Sequence, residues 1–160
     1  MATAITALGT MTLASAVNSV TFSNIPNTYR DLRLVVNSAS TTFYPVIRLN
    51  GDTGANYSGM TVEGTGAAAS SANPNGITYI KAYDNNGFFQ PGNYIFEIFD
   101  YSQTDKHKTT LGRLNEAGAG VTMAVFRWSN TAAVTSVQIF GNAGNNFATG
   151  DTFNLFGIAG

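Results

Sequence analysis

Tyr94-Ile95-Phe96-Glu97-Ile98-Phe99-Asp100-Tyr101 is the stretch that decides the fold. Side chains alternate across a β-strand, so Tyr94, Phe96 and Ile98 fall on one face and Ile95, Phe99 and Tyr101 on the other, with Glu97. A strand apolar on both faces belongs in the middle of a sheet or in an interface. The same period of two runs outward from it. Leu32, Leu34 and Val36 share a face opposite Arg33 and Val35, while Ala124, Phe126 and Trp128 share a face opposite Val125 and Arg127. Val121–Ser129, Val134–Gly141 and Thr152–Ile158 are β-rich, and shorter strands are expected at Met11–Ala14, Ser19–Phe22, Val46–Leu49, Tyr57–Val62, Ile77–Ala82 and Thr109–Leu114.

Clusters of turn formers separate these runs at roughly the 8–12-residue spacing of sandwiches and barrels. Asn50-Gly51-Asp52, Asn73-Pro74-Asn75-Gly76, Asp84-Asn85-Asn86-Gly87, Gln90-Pro91-Gly92 and Gly141-Asn142-Ala143-Gly144 can each supply a positive φ or a local side-chain hydrogen bond. No segment carries an apolar stripe of helical period and length; Met1–Ala16 is Ala-rich, but its threonines and Gly9 favour extended structure. Residues 1–160 therefore read as one all-β domain, an antiparallel β-sandwich of jelly-roll type, with residues 1–18 an extended N-terminal arm or first strand. Glu63–Asn75, rich in Gly, Ala and Ser, is expected to be a loop between the sheets or an arm ordered by a neighbour.

Composition narrows function by exclusion. Hydrophobic residues make up 44% of the 160 residues and charged ones 11%, against about 25% charged in ordinary domains. Thr, Asn, Ser, Ala and Gly fill the gap, residues suited to polar surfaces that pack against something. With 8 basic and 9 acidic residues, and only Lys106, His107 and Lys108 clustered, no stripe exists to neutralise nucleic-acid phosphates. Cysteine is absent, which removes disulfides and thiolate chemistry. No apolar run approaches the ~18 residues of a membrane span, and the N-terminus lacks the basic region of a signal peptide, so no membrane insertion is expected.

The polar residues give no catalytic or cofactor signature. His107 is a lone histidine, read as a solvated loop residue or an interface contact. Glu97 and Asp100 lie an odd number of residues apart, which puts them on opposite faces of a strand and not across one scissile bond; turn capping and pairing with Lys106, Lys108 or Arg113 account for Asp100 and Asp105. The Asn50–Gly54 and Asp84–Gly87 loops lack calcium-loop spacing, and the glycine runs lack phosphate-loop context. The chain is expected to be no enzyme and to carry no cofactor or metal. Arg30, Asp31 and Arg33 admit two readings. They form a polar anchor in a subunit contact, or a lead-in turn in which Asp31 bonds backbone amides and Tyr29 covers the sheet end.

Val20-Thr21-Phe22-Ser23-Asn24-Ile25-Pro26-Asn27-Thr28-Tyr29-Arg30-Asp31-Leu32-Arg33-Leu34 resembles the opening of a group of tailed-bacteriophage virion proteins. Arg48-Leu49-Asn50-Gly51-Asp52 followed by Asn56-Tyr57, and the closing Gly150-Asp151-Thr152-Phe153-Asn154-Leu155-Phe156-Gly157-Ile158, are similar to the same group. The resemblance spans most of the chain and implies a virion β-sandwich that assembles as a homotrimer. Such a part is either a capsid decoration protein bound to the major capsid protein or the distal module of a tail fibre taking host glycans. With strands expected within a dozen residues of Met1 and no heptads for a stalk, decoration is the favoured expectation. Tyr29, Arg30, Arg33 and Trp128, with the N-terminal segment, are the expected interface residues, because aromatics and arginines dominate interface energetics.

Overall fold

The computed structural model describes residues 4–82, 91–116 and 120–160. Within them the β-branched and aromatic runs form twelve strands: β1 (Ile5–Thr12), β2 (Ser19–Phe22), β3 (Asp31–Ser38), β4 (Pro45–Leu49), β5 (Tyr57–Gly64), β6 (Ala69–Ala72), β7 (Ile80–Lys81), β8 (Gly92–Phe99), β9 (Lys108–Glu116), β10 (Gly120–Trp128), β11 (Val137–Gly141) and β12 (Thr152–Ile158). Every pairing between them is antiparallel. The strands build an eight-stranded sheet in the order β1-β12-β3-β8-β9-β10-β5-β6 and a four-stranded sheet in the order β2-β11-β4-β7. The fold is an all-β antiparallel sandwich of jelly-roll type. No α-helix occurs among the described residues, and none of their helices is long and apolar enough to cross a membrane.

β8 lies inside the long sheet between β3 and β9, where its two apolar faces put it. Tyr94, Phe96 and Ile98 point inward and are buried; Ile95, Glu97 and Phe99 face out and are half-buried. The inner faces of the two sheets close one core. Leu32, Leu34, Val36, Phe153 and Leu155 from the long sheet join Val20, Ile47, Leu49, Val137 and Ile139 from the short one. Each such side chain contributes about 1.5–3 kcal/mol when taken fully out of water.

Three elements depart from the sequence reading. The first strand, expected at Met11–Ala14 within the 1–18 segment, runs over Ile5–Thr12, with a bulge between Ala7 and Gly9 where a Cβ on Gly9 would approach the Phe22 ring to 2.6 Å. Glu63–Asn75 is not a loop between the sheets: it holds the end of β5, a turn and β6, paired from Thr61↔Ala72 to Gly64↔Ala69. The turn needs no apolar anchor, since Gly66 supplies φ 82° and Thr65 Oγ1 accepts from the Ala68 amide at 3.0 Å. Of the expected Ile77–Ala82 strand only Ile80–Lys81 is regular, with Ile77 making an isolated bridge to Tyr57.

The turn residues act as their chemistry requires. Asn50 (φ 53°) and Gly51 (φ 66°) form a type I′ turn closed by the Asp52 amide donating to Leu49 O at 3.0 Å. Gly141–Gly144 contains a short 3₁₀ turn at Asn142–Gly144. The Asp84–Gly87 turn and Gln90 lie outside the described residues.

Candidate functional site

Of the four expected interface residues, Trp128 requires correction. Alternation along β10 turns it inward, leaving it 1% exposed, and its indole Nε1 donates to Asp52 Oδ2 at 2.6 Å. It stacks on Tyr57 with ring centroids 6.4 Å apart, and so presents no face to a partner or a sugar. Asp52 also accepts from the Gly54 amide at 2.8 Å and from Asn56 Nδ2 at 2.9 Å. Burial raises the Asp52 carboxyl, and the bonds from Trp128, Asn56 and Gly54 outweigh it, holding the group below its ordinary value. The Tyr57 hydroxyl, pushed up to about 12 by burial, donates to Asp52 O at 3.2 Å and accepts from the Leu49 amide at 3.2 Å. Asn50 Oδ1 in the same loop is also engaged, accepting from the Thr135 and Ser136 amides at 2.8 and 3.1 Å.

Tyr29, Arg30 and Arg33 surround the start of β3. The ring of Tyr29 lies on Gly157, where a Cβ would come within 2.5 Å of it. The Tyr101 hydroxyl, raised by burial, donates to Pro26 O and so ties the preceding turn to the β8 end. Asp31 accepts from the Asp100 amide at 2.9 Å and from Arg30 Nε at 2.7 Å, the chemistry of the lead-in turn. Arg30 stays largely exposed, while Arg33 pairs across strands with Glu97, its Nε donating to Oε1 at 2.9 Å.

The acidic candidates are likewise engaged. Glu97 holds Arg33; Asp100 occupies a turn at φ 48° and meets Lys106 at 3.5 Å. Lys108, expected to pair with a carboxylate, is instead fully buried, because it begins the inward set of β9. Its Nζ donates to Lys106 O at 2.9 Å and Thr131 O at 3.1 Å, and burial lowers its pKa. Among the described residues no three His, Asp or Glu side chains gather as a metal site.

What sequence reasoning did not single out is the outer face of β9, β10 and β5. Register stacks this face in rows. Thr109, Arg127 and Ser58 form the first, Leu111, Val125 and Met60 the second, Arg113, Met123 and Val62 the third, and Asn115, Val121 and Gly64 the fourth. Met60, Val62, Val121, Met123 and Val125 stand 40–62% exposed in one contiguous field. The signal was present: β10 carries Val121, Met123 and Val125 on the face opposite Ala124, Phe126 and Trp128, so it is apolar on both sides. Toward β3 and β12 the fourth row turns polar, with Asn93 Nδ2 donating to Asn37 Oδ1 at 2.6 Å and Asn37 Nδ2 to Thr152 Oγ1 at 3.1 Å.

At the first-row end of that field lies a groove of about 660 Å³. Met60, Val125, Gly59 and Phe126 line it with carbon, and Ser58, Thr109, Asn73, Asn75, Arg127 and His107 with polar groups. None of those six side chains makes a hydrogen bond or ion pair with another described residue.

No family model matches the chain, and no curated protein matches it either. Among solved structures it is similar to a galectin from Caenorhabditis elegans at 12% identity, covering 91% of this chain and 94% of that one with a TM-score of 0.37. It is similar to a tetrameric galectin from the ball sponge Cinachyrella sp. at 12% identity, covering 89% and 99% with a TM-score of 0.38. A mutant alginate lyase in complex with an alginate tetrasaccharide gives 12% identity, 93% and 78% coverage and a TM-score of 0.36. These likenesses assign no activity or ligand.

Proposed function

We propose that the chain is a bacteriophage virion structural protein, a capsid decoration protein that lays the outer face of β9, β10 and β5 on the major capsid protein and strengthens the shell. The observation that carries this reading is the field of Met60, Val62, Val121, Met123 and Val125 standing open to solvent. Together these five expose on the order of 400–500 Å², in the range of a monomer's largest apolar patch, which is often functional. The likeness of the Val20–Leu34, Arg48–Tyr57 and Gly150–Ile158 segments to phage virion proteins supplies the partner class.

Energetics then argue for several copies acting together. Covering the field gives ~10 kcal/mol at about 25 cal/mol per Å², while association opposes it with roughly 4–15 kcal/mol. One copy alone therefore binds weakly. A homotrimer that engages neighbouring capsid subunits at once gains the effective concentration that makes decoration persistent, and a ligand restricted to the assembled shell stabilises that shell by mass action. The measurement is co-sedimentation of the purified protein with undecorated particles, compared with Met123→Asp. Stoichiometric binding lost in the variant supports the reading; absence of binding, or binding indifferent to Met123, removes it.

A second reading, a tail-fibre or receptor-binding module for host glycans, is favoured by one observation, the six unengaged polar side chains over the carbon floor of the groove. Binding of host surface glycan by the isolated protein is its test.

A further inference from the structure

We propose that the groove between Arg127, His107 and the Asn73–Asn75 turn binds a carboxylate-bearing saccharide. The inference shares Met60 and Val125 with the face offered for capsid docking and rests on the second reading, which it narrows to one chemical class.

The argument starts from the walls. Arg127 projects from β10 between Thr109 on one side and Ser58 on the other, its register neighbours in β9 and β5. It has no carboxylate partner among the described residues, whereas Arg30, Arg33 and Lys106 all do. A free guanidinium with two hydroxyl residues as register neighbours, in a groove that His107 also lines, offers the forked donors that match one carboxylate. Asn73 and Asn75 line the same groove with amides that both donate and accept. Each sugar hydroxyl does the same, so amides and hydroxyls on two walls suit a ring edge.

The floor supplies the other half of sugar recognition. Met60 and Val125 are paired neighbours across β5 and β10, and both are exposed. They offer a patch of carbon next to the polar row, one row along the same strands. An apolar ring face on carbon, with its hydroxyls and carboxylate turned to the walls, matches both surfaces.

The backbone disfavours the competing occupant, an acidic peptide. An extended peptide gains affinity by adding a strand to an open sheet edge. Here β6 pairs only from Thr61 onward, yet the groove end of β5 is already closed: the Gly59 amide donates to Pro74 O at 2.9 Å, and Tyr57 and Ile77 exchange bonds at 3.0 and 3.1 Å. The groove therefore offers side chains and carbon, not a ladder.

The test uses the whole protein and four probes: tetragalacturonate, its neutral methyl ester, tetraglutamate, and tetragalacturonate against Arg127→Gln, each followed by titration calorimetry and amide chemical shifts at fixed salt. Binding of tetragalacturonate is expected, with shift changes centred on Ser58, Asn75, His107 and Arg127. Esterification, which alters no protein residue, and Arg127→Gln are each expected to weaken it at least tenfold. Equal affinity for the ester overturns the acidic class while leaving the glycan reading standing. Tetraglutamate binding as tightly as the uronate overturns the saccharide assignment. No uronate binding, or shifts elsewhere on the protein, overturns the site.

Discussion

Asp52 joins the two sheets, and replacing it with Asn measures how strongly. Asp52→Asn keeps shape and removes charge. The carboxylate accepts from Trp128 Nε1, the Gly54 amide and Asn56 Nδ2 at 2.6, 2.8 and 2.9 Å. Hydrogen bonds to a charged group contribute about 1.5–3 kcal/mol each, roughly twice a neutral one, and a buried donor left unmatched costs about 1–3 kcal/mol. An amide has one oxygen for these three donors, and its own NH₂ must face one of them. With Trp128 only 1% exposed, water does not readily take over. A loss of about 2–4 kcal/mol at neutral pH follows, read as a fall in urea midpoint at unchanged slope. The pH dependence carries an independent sign. The folded Asp52 carboxyl lies below its ordinary 3.8, so its stabilisation is complete above the unfolded value and disappears as pH falls through the folded one. The gap between wild type and Asp52→Asn must therefore narrow in acid. A loss under about 1 kcal/mol at neutral pH, against the 2–4 argued from unmatched donors, would refute the reasoning, as would a gap that stays constant into strong acid.

Four further outcomes follow from the same geometry. Gly157→Ala drives a Cβ to within 2.5 Å of the Tyr29 ring and should cost about 1–3 kcal/mol by overpacking, measured by thermal unfolding; Tyr29→Ala in the same background should recover part of it. Asp151→Ala removes a 2%-exposed carboxylate that accepts from Ser38 Oγ and the Ala39 and Ala148 amides at 3.1, 2.9 and 3.1 Å, and should cost about 3–5 kcal/mol in denaturant unfolding. Met123→Asp, on the open face, should shift stability by no more than ~0.5 kcal/mol while abolishing co-sedimentation with particles; equal losses in both assays would make Met123 a fold residue. The Tyr57 hydroxyl, at about 12 in the fold against 10.0 ordinarily, gives stability that is whole below the unfolded value and lost as pH rises through the folded one. Relative to Tyr57→Phe, wild type should lose about 2–3 kcal/mol across that alkaline window, monitored by phenolate absorbance together with unfolding.

The sandwich was legible because its strands obey the period of two. Tyr94–Tyr101 announced an interior strand, and β8 lies between β3 and β9. Asn50-Gly51-Asp52 announced a turn able to supply a positive φ or a side-chain hydrogen bond, and Asn50 and Gly51 both take positive φ. Reading failed where a strand carries no apolar alternation. Ala69-Ser70-Ser71-Ala72 forms an edge, buried on neither face, so nothing in its side chains marks it; the ladder to β5 alone defines it. Trp128 misled for the opposite reason. Alternation assigned it a face together with Ala124 and Phe126, but which face looks inward is a property of the whole sheet. The Val-Met-Val set opposite was an equally good core in isolation. The four-stranded sheet covers only one side of the eight-stranded one, and that choice left Trp128 inside and Met123 outside. The groove was less legible still, since Asn73 and Asn75 meet Arg127 and His107 only after the chain has crossed the sheet.

Val20–Leu34, Arg48–Tyr57 and Gly150–Ile158 are consumed by the fold, and that decides where function must be sought. Tyr29 seats on Gly157, joining the first motif to the last. Asp31 holds the Asp100 amide, Asp52 holds Trp128, and Asp151 holds the Ser38 hydroxyl and the Ala39 amide. Each is a bond between distant parts of one sandwich, so any chain with this sandwich has reason to keep such residues whatever it binds. These three segments therefore speak to architecture first. The residues least tied to that duty are in the outward rows of β9, β10 and β5, where Val62, Val121 and Met123 stand exposed. Exposed carbon there disfavours solubility and adds nothing to the core, so its presence needs an external reason. That makes the Met123 and Arg127 variants, and not changes at Tyr29 or Trp128, the substitutions able to separate a shell-binding protein from a sugar-binding one.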